Sequence, residues 1–448
     1  MKFRVWSSLP VLLPLIFSGT VAAAPLGSVV QDSASAVIES LVTDSKFKLR
    51  YSQFYWKESG EAGYAGNDRD EWVHALRADY SSGYLFDFIG FDYSFGMADD
   101  LYIGDNISNT SNLKYNPADP THPDGLAGTT QAFLKAKVGD EKIGLDMSLG
   151  QKQRHRMLLQ DSQSRILPSG TVGYDLDAHV GSLKFYYTEI DKQSPRDDDY
   201  WGRNLTNFLG QQIDSVQVYG ANYSFDNGLY LAAEQAVAED YLKRQVAKAQ
   251  YKMPVAEGNL KLELLGAREQ DDGDLFEYDG INGFLPETDD HDARYWEAGI
   301  TYSRDGYYVG LLHSKITGAD FNRPLFSRDY GATYRGTDLF YAFSLEDEAM
   351  WKLKAGTDFA RWGLPGMRWD MHLAYSDGAE GFDGFRRYEA QSVLQYRFSG
   401  ELDGLSLAWL SVTHDTEGTP DGVNRTFSGY NITQHDANRI YVNYDIKF

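Results

Sequence analysis

One pattern constrains this chain more than any other: apolar and polar residues alternate with a period of two, segment after segment. The final stretch, Asn438 to Phe448, shows it most plainly. Ile440, Val442, Tyr444, Ile446 and Phe448 share one face, while Arg439, Asn443, Asp445 and Lys447, with Tyr441 among them, share the other. Successive side chains point to opposite sides only in an extended strand, so the period predicts β-structure with one apolar and one polar face. Met367, Trp369, Met371, Leu373 and Tyr375 alternate in the same way with Arg368, Asp370, His372, Ala374 and Ser376. Beyond the N-terminus no helical period is sustained over the length of a helix. A last strand with a bare edge would invite aggregation. Its natural partner is the first strand, around Phe47 to Tyr55, and that pairing would close the sheet.

The connections alternate in length. Gly139-Asp140-Glu141, Asp226-Asn227-Gly228 and Asp305-Gly306 are short, whereas 96–128, 151–172, 192–214, 270–292, 318–347 and 416–436 are long and polar. Such asymmetry predicts an all-β transmembrane antiparallel up-and-down β-barrel, with short turns on the periplasmic side and long loops outside. Counting segments gives about 18 strands, each expected to run about 9–11 residues. The barrel is expected to fill 45–448 as a single domain. Before it, Lys2 and Arg4 precede an apolar run from Val11 to Phe17 and small residues up to Ala24, which reads as a secretory signal peptide over 1–23. Residues 24–44 would then form a periplasmic segment. No later run is long and apolar enough for a membrane helix. Aromatic residues make up 14% of the chain, with 31 Tyr, an excess that suits girdles at two membrane interfaces. A soluble secreted sandwich also alternates; the unbroken run of alternating strands to the chain end favours the barrel.

Composition excludes several functions. With no cysteine, thiolate metal sites and cysteine nucleophiles are absent. A formal charge of −23 argues against nucleic acid, whose phosphates need basic patches. The histidines show no ligand spacing, and no nucleophile turn, phosphate loop or dinucleotide fingerprint occurs, so neither an enzyme nor a cofactor is expected. His414-Asp415 and Asp370 with His372 are the acid–histidine pairs to test for a barrel enzyme.

Four stretches resemble one family. They are Glu71 to Ser94; Leu134 to Thr171 with Ser164-Arg165-Ile166-Leu167-Pro168; Phe321-Asn322-Arg323-Pro324 with the later Trp351-Lys352-Leu353; and Gly363-Leu364-Pro365-Gly366. In order and spacing they resemble the OprD family of outer-membrane porins. The resemblance implies an 18-stranded, substrate-selective channel of the Gram-negative outer membrane, passing amino acids, small carboxylates or sugars. It also implies that the third long loop folds inward, and that a basic ladder lines one wall. Under that reading Arg154, Arg156, Asp161 and Arg165 are candidates for the constriction, where low-dielectric walls focus charge. Parity places Arg50, Arg77, Lys248, Lys354, Arg368, Arg397 and Arg439 on polar faces, as candidates for the pore wall. The stretch Leu405 to Val412 carries no charge, which shortens the ladder and favours neutral solutes. Partners would be small solutes, outer-membrane lipid and lipopolysaccharide, and the barrel-assembly machinery through Phe448. Both monomer and homotrimer are compatible, and a binding or adhesion barrel acting through its outer loops is the alternative function.

Overall fold

Each long alternating segment forms an antiparallel strand. A computed structural model describes residues 44–60, 68–105, 107, 112–199, 201–277, 291–321, 324–329, 339–420 and 434–448. The expected signal peptide and, apart from Asp44, the segment 24–44 lie outside the described residues, as do Asn322 and Arg323. The first seven strands are β1 (Lys46–Gly60), β2 (Arg69–Ser81), β3 (Ile89–Ile103), β4 (Leu126–Gly139), β5 (Ile143–Lys152), β6 (Gly170–Val180) and β7 (Leu183–Ser194). A small pair, β8 (Arg203–Thr206) and β9 (Gln212–Ile213), belongs to an outer connection. Then follow β10 (Val216–Ser224), β11 (Leu229–Ala238), β12 (Leu242–Val255), β13 (Gly258–Asp271), β14 (Asp292–Arg304) and β15 (Tyr307–Thr317). The last five are β16 (Ala349–Asp358), β17 (Met367–Asp377), β18 (Phe382–Arg397), β19 (Leu405–Pro420) and β20 (His435–Lys447).

Leaving out β8 and β9, eighteen strands pair in sequence; β7 pairs directly with β10, and β20 pairs with β1. The sheet is therefore a closed barrel with no free edge. At the seam Arg50 faces Asp445 and Tyr51 faces Tyr444. The Phe448 amide donates to the Phe47 carbonyl at 2.9 Å. Among the described residues no helix is long and apolar enough to cross a membrane. The outward face is instead a band of exposed apolar side chains at alternate positions, such as Phe91, Tyr93, Phe95 and Met97 on β3 or Ile440, Tyr444 and Ile446 on β20. In water such a band would be a sticky patch; in a bilayer it is the required outer surface.

The expected strand length of about 9–11 residues holds for β5, β6, β10, β11, β15, β16 and β17; the other barrel strands are longer, reaching 16 in β18 and β19. Their outer ends extend past the apolar band because loops and neighbouring polar side chains give them partners there, as Arg69 does for Glu58 at 3.0 Å. The β2–β3 connection runs over 82–88, where bonds from Ser82 N to Phe91 O and from Leu85 N to Ile89 O close two successive turns.

The lumen is not empty. Loop residues Leu158 and Leu159 pack on inward residues of β10 to β15, including Val218, Ala236, Val246, Tyr295 and Ile316. Leu167 packs on Phe54, Trp56, Val73 and Ala98 from β1 to β3. A second inward segment, 339–348 of the β15–β16 connection, places Phe343 against Leu312, Met350 and Ala374.

Candidate functional site

The β5–β6 connection, 153–169, crosses the lumen, and buried wall carboxylates hold it there. Glu234 on β11 accepts the Leu158 amide at 2.6 Å, the Met157 amide at 3.0 Å and the Tyr186 hydroxyl at 2.5 Å. Arg154 is almost fully buried and reaches Asp175 on β6 at 3.2 Å, while also donating to the Thr171 carbonyl. Arg156 reaches Asp177 at 2.6 Å and lies 4.5 Å from the Tyr186 ring centre. Asp161 accepts the Arg154 amide at 2.7 Å and the Thr171 hydroxyl at 2.9 Å. Burial pushes its carboxyl up to about 6, against those two hydrogen bonds. Three of the four constriction candidates thus pin the loop to the wall: a charge so paired within the protein has little left for a passing solute.

Arg165 is placed differently. Its guanidinium carbon sits 4.3 Å from the centre of the Trp56 ring, which Arg439 approaches to 3.8 Å and Arg69 to 4.6 Å. Three cations share one indole, a favourable contact for each. Burial and the charges of Arg196, Arg439 and Arg69 push Arg165 well below the usual arginine range, with Glu71 opposing. An arginine keeps its proton in proteins, so this shift records burial first and the neighbouring arginine charges second. Arg439 lies among Trp56, Phe340 and Phe54, and its Nε finds no hydrogen-bond partner among the described residues. Arg165 also borders a cavity of about 270 Å³ with Arg50, Arg77, Phe54, Tyr441 and Asn443.

The wall candidates separate by height and wall. Arg50 and Arg77 line that cavity, but each carries an acid: Arg50 binds Asp445 through two bonds of 2.5 and 2.6 Å, and Arg77 meets Asp79 at 3.0 Å. Lys248 lies on another wall, 3.4 Å from Glu263, which Lys261 also contacts. Lys354 alternates inward on β16 between the outward Leu353 and Ala355. Arg368 is exposed and bonded to Asp370, and Arg397 is exposed at the end of β18. The structure therefore brings together Arg50, Arg77, Arg165 and Arg439 and leaves the others apart. Arg69, Arg196 and Trp56 were not among the sequence candidates. Arg69 falls within a charged stretch that reads as a loop, and Trp56 has the apolar character of an outward residue although its parity turns it inward. On β19 the inward residues Ser406, Ala408, Leu410 and Val412 are uncharged, as the sequence indicated.

The inward segment 339–348 has its own anchors. Glu389 accepts the amides of Phe340 and Tyr341 at 2.8 and 3.0 Å. The Tyr341 hydroxyl meets both Glu58 and His435, and Arg387 donates to the Ala342 carbonyl at 2.6 Å.

A family model described as outer membrane porin, OprD family, matches residues 39–448. Solved structures from Pseudomonas aeruginosa share the fold. OpdK with vanillate gives a TM-score of 0.75 at 19% identity, covering 91% of this chain and 100% of its own. OccK9 (OpdG) gives 0.76 at 17% identity over 92% and 100%, and OccK8 (OprE) gives 0.76 at 19% over 91% and 100%. No curated protein sequence matches the chain.

Proposed function

The chain belongs to the OprD family of outer-membrane porins, and from that premise we propose that the small solutes it selects are carboxylates with an apolar or aromatic body. It is an integral β-barrel of the Gram-negative outer membrane and a substrate-specific channel for small solutes, not an enzyme. The finer reading concerns selectivity. The observation that carries it is the crowding of Arg69, Arg165 and Arg439 on Trp56, with Arg196 close by, at the border of the cavity lined by Arg50 and Arg77. Arg50 and Arg77 bind Asp445 and Asp79, while Arg165 stands among Arg196, Arg439 and Arg69, with Glu71 opposing them. A planar guanidinium fork suits a carboxylate. Phe54, Ile166, Leu167 and Tyr441 in the same cavity suit the solute's apolar part. The related OpdK was crystallised with vanillate, an aromatic carboxylate. Export through residues 1–23, a periplasmic segment over 24–44 and one barrel over 45–448 belong to the same reading.

Removing one cation at contact distance from a carboxylate costs about 1 kcal/mol when water screens it and about 4 kcal/mol near protein. Arg165→Ala should therefore slow benzoate entry in liposome swelling at least about fivefold, leave a neutral sugar unaffected, and move the reversal potential under a salt gradient towards cations. Unchanged benzoate rates and reversal potential would remove Arg165 from the selective site. A second reading, a channel for neutral solutes, rests on the charge-free wall of β19. Faster swelling with a disaccharide than with benzoate would favour it.

A further inference from the structure

The outward face of β10 to β14 departs from the rest of the apolar band. Three rows of side chains run across it, each defined by direct cross-strand pairing. The middle row is Ala221, Ala233, Ala247, Gly266 and then Trp296. One step towards the periplasm lies an apolar row of Leu231, Ala249, Leu264 and Ala298. One step towards the outside lies a polar row of Gln235, Gln245, Arg268 and Arg294, ending at Thr317. Because the middle row is nearly without side chains, the surface is recessed into a groove of about 1160 Å³, walled by Leu176, Phe185, Tyr219 and Trp296. A second recess of about 540 Å³ shares Ala221, Ala233, Ala247 and Gly266 and continues towards Leu231 and Leu264. A Cβ built at Gly266 would meet nothing within 4 Å.

The charge above the groove is as unusual as the groove. Arg268 and Arg294 stand directly opposite each other on neighbouring strands, an arrangement that repels. They share a single carboxylate, Asp292, at 2.7 and 2.9 Å. Lys315, opposite Trp296, has no carboxylate partner among the described residues. Nearby, His313 lies between Trp296 and Trp351 with ring centres 5.1 and 4.3 Å away. Tryptophans outside a barrel mark the membrane interface, and Arg294 is one outward step, about 7 Å, beyond Trp296. The cations thus stand at headgroup height, with the apolar recess directly beneath them.

We propose that this groove binds an anionic phosphoglycolipid of the outer leaflet, of the lipopolysaccharide type. Its phosphates would lie on Arg268, Arg294 and Lys315, and its acyl chains in the recess over Ala233, Ala247 and Gly266. The volume exceeds the ~300–1,000 Å³ of a drug-sized ligand site, and the excess of cations over Asp292 selects a charged headgroup. The site is separate from the lumen and independent of which solute the channel selects. A second copy of the chain would have to bring an acidic ridge to the same place.

Native mass spectrometry of the purified full-length barrel tests this, with bisphosphorylated lipid A, dephosphorylated lipid A and phosphatidylglycerol as probes. Wild type should retain bisphosphorylated lipid A at least tenfold more tightly than either other lipid. The variant Gly266→Leu with Ala247→Leu fills the recess, and Arg268→Gln with Arg294→Gln removes the head site. Each should lose that preference while single-channel conductance stays at the wild-type value, since these residues face away from the lumen. If the filled variant fails to assemble, the arginine variant decides alone. Equal retention of all three lipids by wild type overturns the proposal, as does undiminished lipid A binding in the arginine variant. A wild-type oligomer that disappears when the recess is filled would overturn it in favour of a second copy.

Discussion

Glu234→Ala removes the carboxylate that holds the centre of the lumen-crossing loop. Glu234 is buried on β11, 3% exposed, and its two oxygens accept the amides of Leu158 and Met157. A hydrogen bond to a charged partner contributes about 1.5–3 kcal/mol, so the loop should lose roughly 3–6 kcal/mol of local stability on this count. At 1.4 kcal/mol per decade, even the lower figure raises the population of the detached loop about a hundredfold. The loss is local, because Arg154 and Arg156 still bind Asp175 and Asp177 at the loop's near end. Hydrogen exchange followed on the peptide covering 154–162 should therefore speed up about a hundredfold, while strand peptides keep their protection. In planar bilayers the same variant should show added open-channel noise and larger current levels. Glu234→Gln keeps one oxygen acceptor without the charge and should fall between. Wild-type exchange at 154–162 together with wild-type currents would refute the view that Glu234 sets the loop's position.

Two further outcomes follow from buried charge. Burial raises Asp161 to about 6, above the roughly 3.9 of an unfolded aspartate. The folded loop therefore binds the proton more tightly. The associated stability is fully present below about pH 4 and is lost as pH climbs through about 6. Protection at 154–163, corrected for intrinsic exchange, should rise on going from pH 7 to pH 5, and Asp161→Asn should flatten the change; greater protection at pH 7 would contradict it. In the outer half of the barrel Arg244 binds Glu269 through Nε at 2.7 Å, and both are buried. Arg244→Met should destabilise the barrel by about 3–5 kcal/mol in denaturant unfolding, because it takes the arginine from a buried carboxylate that then keeps the His291 contact at 3.1 Å. Adding Glu269→Leu should recover most of that loss; additive losses would mean that Arg244 and Glu269 are not energetically coupled.

What the sequence disclosed and what it hid divide along a physical line. Alternation is local: each inward or outward assignment depends only on a residue's neighbours, so the barrel, its closure of β20 on β1 and the inward direction of Arg50, Arg77 and Arg439 were all legible. The surroundings of an inward residue are not local. Arg439 is buried between Trp56 and Phe340, which come from β1 and the β15–β16 connection. Arg154 and Asp161 carry the charges of a constriction, yet Asp175 and Thr171 absorb them across the sheet. Segment 339–348 has no period at all, so nothing in its sequence marked it as inward; its anchors Glu389 and Arg387 are ordinary alternating residues of β18. The recess beside Gly266 escaped for the opposite reason. Alanine and glycine on an outward face satisfy alternation as well as leucine does, and only the pairing of four strands shows that the small residues fall in one row. Which inward charges the loops engage is therefore a property of the assembled lumen and not of any one strand.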